Sequence, residues 1–284
     1  MEIISLYEGH TDFGKLSQRS KTNLNPIHQY IQDEFQTGDP CLLSSQMPFL
    51  QLQNVMAKIR HKIYENHSIA NFLIPILEEW NVDPNDVYVD LFRLRCVPNG
   101  FHQMEGAESV QFLHRDPWYA NPENQINLWL PITKVELGSG FSLYPSYFLN
   151  PVENNSHSFD YEHWIETGGF QTSSDHPKIG EKVFPKPTSP VSDPNPLSVA
   201  GDFGDYFIFA SHHLHGTNDN SQGYSRFSLE VRFVIGEHIK NQIGPKNIDN
   251  ASKGTTLYEM KNLVNGEVLP TDVIGSYVRQ SVLL

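Results

Sequence analysis

The chain has 284 residues, 38% of them hydrophobic and 12% aromatic, with 19 glycines and 19 prolines, enough apolar material for one large core and too mixed for a collagen, a coiled coil or a wholly disordered chain. Its 20 basic side chains face 33 acidic ones, a formal net charge of -13, which disfavours nucleic acid and anionic membrane unless a basic patch offsets it, and the sequence contains none. The only cysteines, Cys41 and Cys96, stand in no CxxC or CxxH spacing, which argues against a disulfide framework or structural zinc and suits a reducing compartment.

The N-terminus has no apolar run of signal-core length, and no segment approaches the roughly 20 apolar residues of a spanning helix, so a soluble, cytoplasmic protein is expected. From Leu50 to Trp80 the residues Val55, Met56, Ile59, Ile63, Phe72, Leu73, Ile76, Leu77 and Trp80 recur at helical spacing, which makes residues 1–86 mainly helical. After Pro84 the pattern shifts to β-branched and aromatic runs at 87–97, 110–114, 125–132, 141–144, 206–210 and 226–235, strands of a β core without the helices of a parallel sheet. Residues 87–149 and 198–236 form that core, interrupted at 150–197 by a proline-rich insertion whose length suggests a lid. The last segment, 237–284, is read as packing back on the core of a single domain spanning 1–284.

Chemistry concentrates in two places. His114-Arg115-Asp116 ends one strand segment, and residues two apart on a strand share a face. Phe207-Ile-Phe-Ala-Ser-His-His-Leu-His-Gly-Thr-Asn218 ends another, with His212, His213 and His215 as possible third ligands. Two imidazoles and a carboxylate on one side of a metal leave open positions for an oxidant and a co-substrate. His215 is preferred because Gly-Thr-Asn follows it and because it stands eleven residues before Arg226. Arg226 offers a planar, two-pronged donor for a carboxylate; Arg232 is the competing clamp, with a spacing more suited to a structural ion pair. Arg93 and Arg95 read as a solvated pair.

With His114-Arg115-Asp116, the strand Gln125-Ile-Asn-Leu-Trp-Leu-Pro-Ile132, the turn Gly138-Ser-Gly-Phe-Ser-Leu-Tyr-Pro-Ser146, and Gly201-Asp202 leading to His215 and Arg226-x-Ser228, the stretch Val87 to Ile235 resembles the Fe(II)/2-oxoglutarate-dependent dioxygenases, in particular their phytanoyl-CoA hydroxylase-like branch. The resemblance implies a mainly β fold with supporting helices, built on a double-stranded β-helix (a cupin-like jelly roll). It implies Fe(II), 2-oxoglutarate and O2 as cofactors, with His114, Asp116 and His215 as iron ligands. Arg226 then holds the distal carboxylate of 2-oxoglutarate, assisted by Ser228, with Asn127 or Gln111 at the end nearer the metal. Asp116 points to hydroxylation, because related halogenases lack a carboxylate there. The chain departs from the family where many members have Pro-Gly-Ser-His, which is Pro145-Ser146-Tyr147 here, and in the insertion that follows.

Trp118, Tyr119, Gln103, Met104 and Tyr147 are candidate substrate contacts, although Trp118 and Tyr119 could equally cap the core. The acidic surface, with Gln103, Glu105 and Asp160 near the motif, suits a polar or cationic small molecule, such as a natural product undergoing tailoring. The competing functions are an oxygenase of protein or peptide side chains, docked on the insertion, and a non-catalytic jelly-roll binding module. The oligomeric state is not legible.

Overall fold

A computed structural model of the chain describes residues 2–36, 38–104, 112–167 and 184–281. Near the N-terminus lie the helices α1 (Gln18–Phe35), α2 (Pro40–Gln46), α3 (Phe49–Glu65) and α4 (Leu73–Glu79). Ser17 caps α1 by accepting the Ser20 N–H at 3.1 Å, filling one of the donors that a helix start leaves unpaired. The helix buries Leu24, Ile27, Ile31 and Phe35, and α3 buries Leu52, Met56, Ile59 and Ile63, each a single stripe at three- and four-residue spacing.

The strands are β1 (Thr11–Lys15), β2 (Val87–Val89), β3 (Arg93–Val97), β4 (Ile126–Pro131), β5 (Phe141–Leu143), β6 (Leu197–Val199), β7 (Asp205–Ala210), β8 (His215–Thr217), β9 (Arg226–Ile235) and β10 (Lys261–Asn262). A large antiparallel sheet has the order β1-β7-β4-β9-β2-β10, with β3 also paired to β9, and a small one has the order β6-β5-β8. Alternate residues of the large sheet face opposite ways. Leu128, Leu130, Phe227, Leu229, Val231 and Phe233 pack against the apolar stripes of α1 and α3 in one cluster, each fully buried side chain contributing about 2 kcal/mol. On the other face, Trp129, Phe207 and Phe209 meet Phe141, Leu143 and Val199 of the small sheet. The sheets therefore lie face to face, helices back the larger one, and the fold is mostly antiparallel sheet with helices.

Three features differ from the sequence reading. The expected strand 87–97 is broken at residues 90–92, where the Asp90 N–H turns to the Arg232 carbonyl at 2.9 Å. The expected strand 110–114 is absent over its described residues, where His114 makes only an isolated bridge to His215, and Asp116–Tyr119 is a 3-10 turn with Pro117 near its start, since a proline cannot donate to a ladder. Strands β1, β6, β8 and β10 were not anticipated: β6, β8 and β10 are three residues or fewer, and in β1 Thr-Asp-Phe-Gly-Lys has no clean alternation and is held at the sheet edge by five register pairs with β7.

In the insertion, the described flanks are tied to each other and to the body: Thr188 N–H donates to the Glu153 carbonyl at 2.8 Å, Lys186 N–H to Asn155 Oδ1 at 2.7 Å, and Ser146 Oγ to Asp193 Oδ2 at 2.6 Å. Helix α5 (Tyr161–Glu166) lies within it; the helices α6 (Gly236–Asn241) and α7 (Thr271–Ser281) follow β9. Val234, Ile239, Leu257, Met260, Leu269, Ile274 and Tyr277 cluster there. Among the described residues no helix is long and apolar enough to cross a membrane.

Candidate metal centre

After Ala210 the chain leaves the large sheet, turns through residues 211–213 and enters β8 in the small one. His114 pairs with the first residue of that strand: each of His114 and His215 donates its N–H to the other's carbonyl at 2.9 Å. An antiparallel pair places its side chains on the same face, and the two imidazole centroids are 4.4 Å apart. Asp116 opens the following turn, its N–H directed at the Ser211 carbonyl at 3.3 Å. One ligand atom from each of His114, Asp116 and His215 lies within 4.8 Å of the others, the one such group among the described residues. His212 and His213 belong to the turn and stay outside this group.

The donor atoms are prepared for a cation. His114 Nδ1 lies 2.9 Å from the Phe112 carbonyl, and His215 Nδ1 lies 2.9 Å from the His213 carbonyl. A carbonyl only accepts, so each ring carries its proton on Nδ1 and keeps the Nε2 lone pair available, the usual outer support of a metal-binding histidine. Burial, reinforced by His215, pushes the His114 pKa down to about 4, so the ring is a neutral donor near pH 7. Burial alone would raise the Asp116 carboxyl, but Arg232, His215 and His114 outweigh it and hold it below the ordinary carboxylate range. Asp116 Oδ2 accepts from the Asn127 amide, and from Gln125 Nε2 at 3.5 Å. Oδ1 is buried, lies 3.0 Å from Arg232 Nη2, and accepts no hydrogen bond. A buried carboxylate oxygen left in that state, facing two imidazole lone pairs, fits a metal ligand.

Arg226 is 2% exposed. Its Nε donates to the Ser139 carbonyl, Nη1 to Ser228 Oγ at 2.9 Å and Nη2 to the Gly140 carbonyl at 2.9 Å. A guanidinium has five N–H donors, so both Nη atoms keep a donor to offer. Burial, with Arg95 adding to it, lowers the Arg226 pKa to about 10, and the group remains a cation near pH 7. Arg226, Ser228, Glu230 and Arg232 alternate with Phe227, Leu229, Val231 and Phe233 along β9, which places all four polar residues on one face. In register beside them on β4 and β3 stand Asn127, Trp129, Arg93 and Arg95.

Glu230 and Gln125 were not anticipated. Glu230 bridges Arg95 Nε at 2.5 Å and Arg232 Nε at 2.8 Å, and Gln125 Nε2 donates to Asn127 Oδ1 at 2.9 Å. Polar residues at alternate positions of otherwise apolar strands were the available signal. Arg232 serves the ion pair with Asp116 and Glu230. Arg93 and Arg95 are not a solvated pair: Arg93 meets Asp90 at 2.7 Å and Arg95 meets Glu230.

Of the candidate substrate contacts, Tyr119 packs edge-on to His114 with centroids 5.3 Å apart, and its hydroxyl donates to the Pro185 carbonyl at 3.1 Å. Trp118 has no exposed surface and gives its indole N–H to Asp249 at 2.8 Å. Tyr147 is half-buried and bonded through its hydroxyl to Ser192, Gln103 is exposed beside His102, and Met104 packs on Val97 and Phe101. Asp160 spends its carboxylate capping α5 through the N–H groups of Glu162 and His163. Gln111 and Glu105 lie outside the described residues.

No family model and no curated protein matches the chain. Solved structures that resemble it include the non-heme monooxygenase ThoJ in its apo form, at 10% identity, TM-score 0.42 and 99% coverage of each chain. EvdO2 from Micromonospora carbonacea var. aurantiaca matches at 11% identity and TM-score 0.44, over 81% of this chain and 88% of its own. The epimerase SnoN, in complex with Fe3+, alpha-ketoglutarate and nogalamycin RO, matches at 11% identity and TM-score 0.41, over 82% of each. At such identities and TM-scores these likenesses decide nothing about function, which rests on the residues themselves.

Proposed function

We propose that the protein is an Fe(II)/2-oxoglutarate-dependent oxygenase that hydroxylates a C–H bond of a polar small molecule in natural-product tailoring. The observation that carries this reading is the triad: two imidazoles with Nδ1 tied back and a carboxylate with one oxygen anchored and one left without a hydrogen bond, all within 4.8 Å. Three such ligands on one side of a metal are the set used by non-heme iron oxygenases. The strand order supports the double-stranded β-helix: β3, β4, β7 and β9 lie in one sheet, while the His114 bridge, β5, β6 and β8 lie in the facing one.

His114, Asp116 and His215 would hold the iron, and Arg226 with Ser228 would receive the distal carboxylate of 2-oxoglutarate. When bound, the iron with 2-oxoglutarate and O2 supplies oxidation of an unactivated C–H bond, coupled to loss of CO2 from the co-substrate. The chain's own part is positional. Asn127 and Gln125 fix the plane of the Asp116 carboxylate, Arg232 keeps it ionised, and Tyr119, Phe141 and Phe209 pack round the histidines and exclude water.

In length and motif spacing the chain is similar to the hydroxylase that completes the cyanobacterial alkaloid cylindrospermopsin, so an alkaloid with guanidinium and uracil groups is the first substrate to test. The cysteines, free and half-buried, accord with a cytoplasmic setting. The test is succinate release with Fe(II), 2-oxoglutarate, O2 and a panel of such alkaloids, run for wild type and Arg226→Gln. Substrate-dependent succinate formation with a raised co-substrate KM in the variant is expected. A folded wild type that forms no succinate with any panel member, even uncoupled, would count against the reading.

A further inference from the structure

The residue between the two ligands of the His-x-Asp motif does not face the metal site. Arg115 is 1% exposed, and all its guanidinium nitrogens are used: Nε on Asp249 Oδ2 at 3.0 Å, Nη1 on the His212 carbonyl, and Nη2 on the carbonyls of Tyr147 at 2.6 Å and Asn150 at 2.9 Å. One end of Arg115 thus holds the segment that leads into His215, while its own backbone carries His114 and Asp116. Asp249, with its side chain 5% exposed, is the only carboxylate in this set. Its two oxygens also accept the Trp118 indole N–H at 2.8 Å and the Val152 N–H at 2.9 Å. The surrounding tail grips the same turn from its other side: Ser252 Oγ donates to the Pro117 carbonyl at 3.0 Å, and Thr256 N–H to the Ala120 carbonyl at 3.0 Å.

We propose that Asp249 is a positioning residue for the metal centre, which sets the Arg115–Trp118 turn and so the spacing of Asp116 from both histidines. The physical reason is the cost of leaving Arg115 buried without an anion: the turn would have to open to let water reach the guanidinium. Because Arg115 is bonded to both ligand-bearing segments, such an opening would move Asp116 relative to His215. The proposal rests on the metal-centre reading above.

The test is titration of the full-length apo protein with Co(II), following its visible d–d band, for wild type, Asp249→Asn and the remote control Asp86→Asn, which removes the charge of a carboxylate that accepts the Glu237 N–H. The expected result is a Co(II) Kd raised about tenfold or more in Asp249→Asn, with a changed band shape, and unaltered binding in Asp86→Asn. Asp249→Asn binding Co(II) within about twofold of wild type, whatever its Tm, overturns the inference and leaves the metal centre standing. Wild type that binds no Co(II) overturns both. If Asp249→Asn does not fold, Trp118→Phe removes a single bond to the same carboxylate; weaker Co(II) binding supports the proposal, and unchanged binding overturns it.

Discussion

Glu230 holds two cations, Arg95 and Arg232, and through the second of them it governs the charge around Asp116. Burial would raise its carboxyl, but Arg232 and Arg95 outweigh burial and hold it well below the ordinary value of 4.5. A depressed folded pKa contributes stability that is complete above the unfolded pKa and lost as pH falls through the folded one. Glu230→Gln is therefore expected to cost about 3 kcal/mol near neutral pH, as a Tm difference that stays level down to about pH 5 and narrows below about pH 4. Melting curves across that range check it; a gap that does not narrow in acid contradicts it. Arg226→Gln is expected to raise the Kd for 2-oxoglutarate at least tenfold, as for the loss of one charge-assisted bidentate contact, with Tm measured alongside because the same side chain ties Ser139 and Gly140.

Between elements, the tightest tolerance lies where β5 meets β6. A Cβ on Gly140 would stand 1.9 Å from the Val199 carbonyl oxygen, and the Gly140 carbonyl is itself an acceptor of Arg226. Gly140→Ala is expected to cost about 1–3 kcal/mol and to raise the co-substrate KM, while Ile59→Ala, on the helical layer, costs about 2–5 kcal/mol and leaves that KM unchanged. Thermal melts paired with succinate kinetics separate the two. The helical stripe of α3 was legible because its spacing repeats from Leu52 to Ile63, about three turns. Arg226, Ser228, Glu230 and Arg232 were legible as one face of a strand; Glu230 was not picked out, and Arg232 was read as a competing clamp or a structural ion pair, the second of which holds. The turn after His114 was missed because a strand reading was carried as far as Asp116, although Pro117 next to it cannot continue a ladder.

At the scale of the whole molecule, the site is made by a chain reversal that crosses from one sheet to the other and sets His215 beside His114. That grouping was expected from the resemblance of the two motifs to a known family, and the bridge between His114 and His215 is what brings the side chains together. The grip of the tail was not readable: Asp249 meets Arg115 and Trp118 across more than 130 residues, and a single aspartate in a loop carries no periodic signal. Trp118, read from the sequence equally as a substrate contact or a cap on the core, is fully enclosed, which fits the second reading. The measurement that tests the central claim most directly is an anaerobic visible spectrum of the apo protein with Fe(II) and then 2-oxoglutarate, for wild type and Asp116→Ala. A weak band that needs both additions in wild type and is absent in the variant is predicted. A folded wild type that shows no such band would contradict the assignment of His114, Asp116 and His215 as an iron site.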